Sequence, residues 1–206
     1  MTKLLVLYYS SYGHVFKMAQ AAVEGVSDND DYEVKLRKIP ELKQAEKAMS
    51  GQDAYNQARA KQVDIPDATH DDLAWADGIV WGIPTRFGNM PAQVKQFIDT
   101  AGGLWAEGKL EDKVAGIMTS TNTNHGGQET TIISSMIPLL HLGMIFVGSP
   151  YGQNPELNSD KHIGGSPYGP STLAGPDGSR TPEDEDLNMA RNLAARVARV
   201  AAGVSQ

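Results

Sequence analysis

Cysteine is missing from all 206 residues, which excludes disulfides, iron–sulfur clusters, thiolate nucleophiles and cysteine-type zinc sites together. No apolar run approaches the roughly 18 to 20 residues that a bilayer span requires; the longest, Leu4 to Tyr9, is the size of a strand. Positive charge is in deficit. Eighteen lysines and arginines face 25 aspartates and glutamates, a formal charge of −7, the wrong balance for a surface that neutralises nucleic-acid phosphates. The five histidines, His14, His70, His125, His141 and His162, stand far apart without metal-ligand spacing, so no metal site is expected. Met1-Thr2-Lys3 is followed by only a short apolar stretch with no small-residue cleavage site behind it, the pattern of a chain without a secretory signal. With hydrophobic residues at 40%, these features imply one acidic, cytoplasmic, core-forming domain with neither a membrane nor nucleic acid as partner.

Short buried runs alternate with helical faces along the chain. Lys3 to Tyr8 is a continuous apolar run, as expected of a strand covered on both sides. Val15, Met18, Ala19, Ala22, Val23 and Val26 then share one helix face. Tyr32, Val34 and Leu36 alternate with charged residues, the signature of an edge strand. Residues 40–70 are polar with little periodicity, and one or two surface helices are expected over Glu41 to Gln62. Further strands are predicted at Gly78 to Ile83, Val114 to Met118 and Met144 to Val147. Between them lie a helix opened by Pro91 in its first turn and one carrying Ile132, Met136 and Leu140, which Pro138 should kink. A last helix follows, with Thr181 as cap, Pro182 at its first position and acidic residues crowding its positive end. Strands alternating with helices imply right-handed parallel crossovers. The expected architecture is an α/β, doubly wound, five-stranded parallel sheet of order 2-1-3-4-5, with helices on both faces. It forms a single domain over 1–206, with a polar helical insertion near 40–70. Residues 148–181, with seven glycines and five prolines, are too rich in both for regular structure; they read either as surface coil or as a lid or subunit contact.

Ligands of such a sheet sit beyond the carboxyl ends of the strands, where the strand order reverses. Tyr9-Ser10-Ser11-Tyr12-Gly13-His14 enters a helix with hydroxyls, a permissive glycine and consecutive amides, the parts of an anion site. It holds no lysine or arginine and matches neither common nucleotide fingerprint; taken alone, Ser10 and Ser11 serve equally well as a helix cap. After the third strand comes Pro84-Thr85-Arg86-Phe87-Gly88-Asn89-Met90-Pro91, and after the fourth Ser120-Thr121-Asn122-Thr123-Asn124-His125-Gly126-Gly127. Three polar, glycine-bearing loops at one sheet edge are more than turn chemistry needs.

Tyr8-Tyr9-Ser10 with Gly13-His14, Pro84 to Met90, Gly102-Gly103-Leu104-Trp105, and His125-Gly126-Gly127-Gln128-Glu129 together resemble the WrbA family, the flavodoxin-like NAD(P)H:quinone oxidoreductases. The similarity runs from about residue 3 to about 200, through Gly165 to Gly169 and Asp177-Gly178-Ser179-Arg180. The resemblance implies non-covalent FMN, one per subunit, reduced by NADH or NADPH and reoxidised by small quinones in a two-electron reaction. Carried over by position, Ser10, Ser11, Tyr12, Gly13, His14 and Val15 would hold the phosphate. Thr85, Arg86 and Phe87 would border the ring, and Ser120, Thr121, Asn122, Thr123, Asn124, His125 and Gly126 would run along its other edge. His141 would close the ring's surroundings, Trp105 would line the substrate side and Tyr12 would meet the nicotinamide nucleotide. Tyr12 and Val15 stand where ordinary flavodoxins place phosphate-binding threonines, and His141-Leu142 replaces a histidine pair frequent in the family. Arg86 or His141 is the expected source of positive charge beside the reduced flavin, with a packed core histidine the alternative for His141. The family also implies a homotetramer, or a dimer, with sites near subunit contacts. The competing function is a flavodoxin-type electron carrier without catalytic turnover.

Overall fold

A computed structural model describes residues 1–204. In chain order the elements are β1 (Thr2–Tyr8), α1 (His14–Ser27), β2 (Tyr32–Lys38), α2 (Lys43–Met49), α3 (Asp53–Ala60), α4 (His70–Trp75), β3 (Gly78–Pro84), α5 (Ala92–Asp99), α6 (Gly102–Ala106), β4 (Val114–Thr121), α7 (Gln128–His141), β5 (Ile145–Phe146), β6 (Ser171–Leu173) and α8 (Asp184–Val204). Among the described residues all strand pairs are parallel, in the order β2-β1-β3-β4-β5, with β6 on β4. The expected order and winding are therefore present.

The sheet separates two cores. On one face Leu4, Val6, Val80 and Met118 meet α1 and α8 through Met18, Ala22, Leu193 and Val197. On the other, Leu5, Leu7, Ile79, Trp81 and Ile117 meet α4, α5 and α7 through Leu73, Val94, Phe97, Ile132 and Leu139. Alternation of β1 side chains between the two clusters is the period-two geometry of a strand buried on both faces. At the edge, every residue of β2 keeps some exposure.

Several expected boundaries move. The fifth strand is two residues rather than Met144 to Val147, and a sixth appears inside the stretch read as too rich in glycine and proline for regular structure. Where β5 stops, β6 continues alongside Thr119 to Thr121, so the edge of β4 is covered by two short strands in series. Pro91 is the cap of α5 rather than part of its first turn. Neither Thr181 nor Pro182 opens α8, which begins at Asp184. The reason is Asp186: its carboxylate accepts the Glu183 amide at 3.2 Å, the Gly164 amide at 3.0 Å and the Thr172 hydroxyl at 2.7 Å. Desolvation of this fully buried acid raises its pKa, while the three donors act in the opposite direction. One side chain thus starts the helix and fastens β6 and residue 164 to it.

α1 and α8 approach so closely that a Cβ on Gly25 would stand 2.6 Å from the Arg191 carbonyl oxygen. Backbone cannot swing aside as a side chain can. Gly25→Ala is expected to destabilise the fold by about 1–3 kcal/mol through overpacking. The check is a urea midpoint that falls with an unchanged slope; an unaltered midpoint would refute the close contact.

Candidate active site

The carboxyl ends of β1, β3 and β4 and the chain after β6 surround a cavity of about 500 Å3, within the range of small-molecule sites. Its first wall is the loop leaving β1. Gly13 takes φ 93 as the residue preceding α1, a left-handed conformation that glycine enters freely. Its amide donates to Ser10 Oγ at 3.0 Å. Left-handed backbone beside helical backbone is the geometry that gathers successive N–H groups around an anion. Ser10, Ser11, Tyr12 and His14 line the cavity, whereas the Val15 side chain is buried in the core. Only the Val15 backbone is left for a ligand.

The insertion at 40–70 braces this loop. Buried Gln62 donates to the Ser10 carbonyl at 3.3 Å, and the Tyr12 hydroxyl donates to Gln52 at 2.7 Å. Two helices, α2 and α3, form there as expected, yet their stretch is not a mere surface appendage. Tyr55, Ala58 and Gln62 are all buried.

Thr85 and Arg86 form the second wall. The Thr85 amide donates to the Ser120 carbonyl at 3.0 Å, and its hydroxyl accepts from Thr131 at 2.7 Å and from the Gly88 amide at 3.1 Å. Arg86 donates to its neighbour's carbonyl at 2.8 Å and, through Nη2, to Ser11 Oγ at 2.8 Å. A guanidinium therefore reaches the first loop although none lies within it in sequence. Phe87 does not join the cavity wall. It occupies the tip of a tight turn at φ 55, with Arg86 and Asn89 exchanging both backbone hydrogen bonds, and is fully exposed.

Ser120 and Asn122 supply the third wall. Ser120 and Thr121 belong to β4 itself, which runs three residues beyond its expected end. Thr123 and Asn124 line a separate cavity with Leu173 and Arg180, and His125 and Gly126 complete a turn closed by the Gly126 amide on the Thr123 carbonyl. The fourth wall, Ala174 and Pro176 to Gly178, had no place among the expected site residues. Among the described residues Asp177 is the one carboxylate in the lining. It accepts from the Ser179 amide and hydroxyl, which hold its pKa low.

Trp105 and His141 do not line this cavity. They face a neighbouring groove of about 1000 Å3, with Met90, Ile98, Ile137 and Pro138. His141 is exposed at the end of α7, which excludes the packed core histidine.

Five further polar side chains around the site escaped the sequence reading: Glu41, Gln52, Tyr55, Gln62 and Gln93. Only Gln93 left a trace, since it lies four residues before Phe97 on the buried face of α5, where a polar residue demands a partner. It donates to the Tyr9 hydroxyl at 2.9 Å and to Glu41 at 2.5 Å.

The model of the NADPH-dependent FMN reductase family matches residues 2–155. An NAD(P)H dehydrogenase (quinone) of Syntrophobacter fumaroxidans is 47% identical over 199 residues, 97% of each chain. One of the same name from Geotalea uraniireducens is 45% identical over 204 residues, 99% of this chain and 100% of that one. Among solved structures, a flavodoxin, WrbA-like protein from Agrobacterium tumefaciens superposes with a TM-score of 0.67 at 24% identity, covering 98% of this chain and 99% of the other. This last likeness is one of fold.

His14 ties the loop to the fourth wall, its Nε2 lying 3.0 Å from the Arg180 carbonyl. A carbonyl only accepts, so Nε2 carries the proton. Burial lowers the His14 pKa, and the unfolded chain therefore binds the extra proton more readily. The stabilisation is full above the unfolded value and lost as pH falls through the folded one. Urea melts between about pH 5 and about pH 8 should show stability rising with pH over that window, and His14→Gln should flatten the rise. An identical slope in the variant would refute the assignment.

Proposed function

The chain belongs to the NADPH-dependent FMN reductase family, and we propose that it is an FMN-dependent NAD(P)H:quinone oxidoreductase. The observation that carries the reading is the cavity at the strand ends, bounded by an amide-rich, glycine-turned loop on one side and a guanidinium on another. Full-length likeness to proteins named NAD(P)H dehydrogenase (quinone) accompanies it.

The donor set fits FMN. Loop amides and the Ser10 hydroxyl suit a phosphate, which the dipole of the 14-residue α1 also favours. The lining carboxylate, Asp177, is already engaged by Ser179. Bound there, FMN would supply the redox chemistry, hydride acceptance from a nicotinamide and two-electron transfer to a quinone. The protein's own part is position and field. Arg86 spends two of its N–H groups on Thr85 and Ser11, which fixes the guanidinium in the cavity wall with donors left over for a ligand. A held cation there opposes the negative charge that reduction brings. Thr85, locked by Thr131 and Gly88, keeps that wall from collapsing inward.

Trp105 and His141 enter this reading through a second copy of the chain. Ile133, Ile137 and Leu140 form an exposed apolar stripe on α7, and Trp105, 60% exposed, lines the same groove as Ile137. Apolar exposure of this kind marks association surfaces. We assign the groove to the contacts of a homotetramer, or of a dimer, that carries Trp105 and His141 to the quinone side of a neighbouring subunit's site. A cytoplasmic location belongs to the same reading, because NADH and NADPH are its reductants.

The test is an absorbance titration of the apoprotein with FMN followed by anaerobic NADH. Uptake of the flavin, bleaching by NADH alone and recovery on adding a small quinone are expected. Flavin that is taken up but neither bleached by nicotinamide nor turned over would favour an electron carrier instead. Ile137→Glu is expected to lower the sedimenting mass and cut quinone turnover at least tenfold (about 1.4 kcal/mol) while FMN uptake persists. An unchanged mass would place the subunit contact elsewhere.

A further inference from the structure

A chain of hydrogen bonds runs from the cavity wall to a carboxylate contributed by the polar insertion. Arg86 Nη2 donates to Ser11 Oγ at 2.8 Å, Ser11 Oγ to the Tyr9 hydroxyl at 3.1 Å, and the Tyr9 hydroxyl to Glu41 Oε2 at 2.8 Å. Tyr55 donates to the same oxygen at 3.0 Å, while Gln93 and the Leu42 amide donate to Oε1 at 2.5 and 2.9 Å. Both ends fix the direction of the chain. An arginine can only donate and a carboxylate can only accept, so every proton between them points away from the cavity and toward Glu41. Ser11 and Tyr9 are buried, which makes an unmatched donor in this row costly.

We propose that Glu41 is a positioning residue for the flavin site, setting the hydrogen-bond polarity that holds Arg86 in the cavity wall. The proposal rests on the FMN reading above and adds to it a group outside the cavity lining. One consequence concerns the two serines. The Ser11 proton is committed inward, so Ser11 meets the phosphate through its amide alone. Ser10 Oγ accepts from Gly13 and keeps its own proton for the ligand.

Glu41→Gln preserves shape and reverses the logic. If the introduced amide nitrogen takes the place of Oε2, Tyr9 loses its acceptor and must turn its proton toward Ser11, and Ser11, no longer able to donate to Tyr9, must swing its own proton out of the row into the wall beside Arg86. If it takes the place of Oε1, it meets the Leu42 N–H, which is backbone and cannot turn. The first arrangement disturbs the Ser11 oxygen that anchors Arg86; the second sets the new amide against the Leu42 and Gln93 donors and displaces the side chain on which Tyr9 rests, so the row loses its fixed order in both.

The experiment measures FMN dissociation constants by fluorescence quenching for the full-length wild type, Glu41→Gln, Tyr9→Phe, Arg86→Ala and the double variant Glu41→Gln/Arg86→Ala. Apoprotein melting temperatures are recorded alongside. The expected result is a roughly tenfold loss of affinity in Glu41→Gln and in Tyr9→Phe. The double variant should bind no more weakly than Arg86→Ala alone, because Glu41 acts through the arginine. The bound flavin's midpoint potential should also fall in Glu41→Gln, as the cation leaves its place. Losses that add in the double variant, or a lowered melting temperature with wild-type affinity, would overturn the proposal and leave Glu41 a purely structural residue. A wild-type protein that takes up no FMN would instead remove the flavin reading itself, and the proposal with it.

Discussion

Parallel pairing of β1 with both β2 and β3 is the constraint from which the site follows. β1 sits inside the sheet, so the chain must leave it over one face through α1 to reach β2. It must then return over the other face, through α4, to reach β3. The two departures diverge, and no connection crosses the carboxyl ends of β1 and β3. An opening there is a product of topology before any side chain is considered. Residues with chemistry gather at it because parallel strands deliver all their following loops to the same edge. Strand β6 adds the last wall by the same rule, since it too runs parallel to β4 and sends residues 174–178 to that edge.

An opening of this kind is held in shape by polar groups rather than by the two apolar cores. The loop after β1 is too short and too glycine-dependent to bury much apolar surface. Its rigidity comes from outside: Gln62 on the Ser10 carbonyl, Gln52 on Tyr12, and Glu41 through Tyr9 on Ser11. All three donors or acceptors belong to the 40–70 insertion or its entry. A preorganised anion site needs fixed amides, because reorientation at the moment of binding would consume the affinity those amides provide. The insertion thus holds the cavity in shape although, among the described residues, it contributes only Gln52 and Ala54 to the lining.

This division explains what could be read from the sequence. Strand order, the two faces of β1 and the helix faces of α1 and α5 were legible because burial imposes a period on apolar residues, as Val15, Met18, Ala22 and Val26 show. The three loops were legible because glycine, proline and hydroxyl residues cluster where the backbone turns. Glu41 and Gln62 were not, because a polar residue satisfied by a partner 32 or 52 positions away leaves no local pattern. Asp186 misled for a different reason. Within Glu183-Asp184-Glu185-Asp186 it resembles one more charge at a helix start, yet it shares the buried face with Met189, Ala190 and Leu193. Its place on that face was visible; the Thr172 hydroxyl and Gly164 amide that make burial tolerable were not. Short α4 was also missed, although Thr69 and Asp72 form a reciprocal capping box that the spacing alone could have revealed.

The separation of Trp105 and His141 from the cavity bears on what kind of flavoprotein this is. A one-electron carrier needs a flavin edge open to a partner and little else. An enzyme that binds two successive planar guests needs apolar surface opposite the flavin face, and the single chain offers little of it there: Phe87 points to solvent at its turn, and Trp105 lines the next groove. The surface exists in the sequence but lies outside the cavity of the single chain, and the proposed assembly is what would bring it into use. An exposed Trp105, an apolar stripe on α7 and a phenylalanine held at positive φ are costly features for a chain that acts alone. They become economical together if one association event covers the stripe and completes the guest site, so that assembly and catalysis are coupled by the same residues.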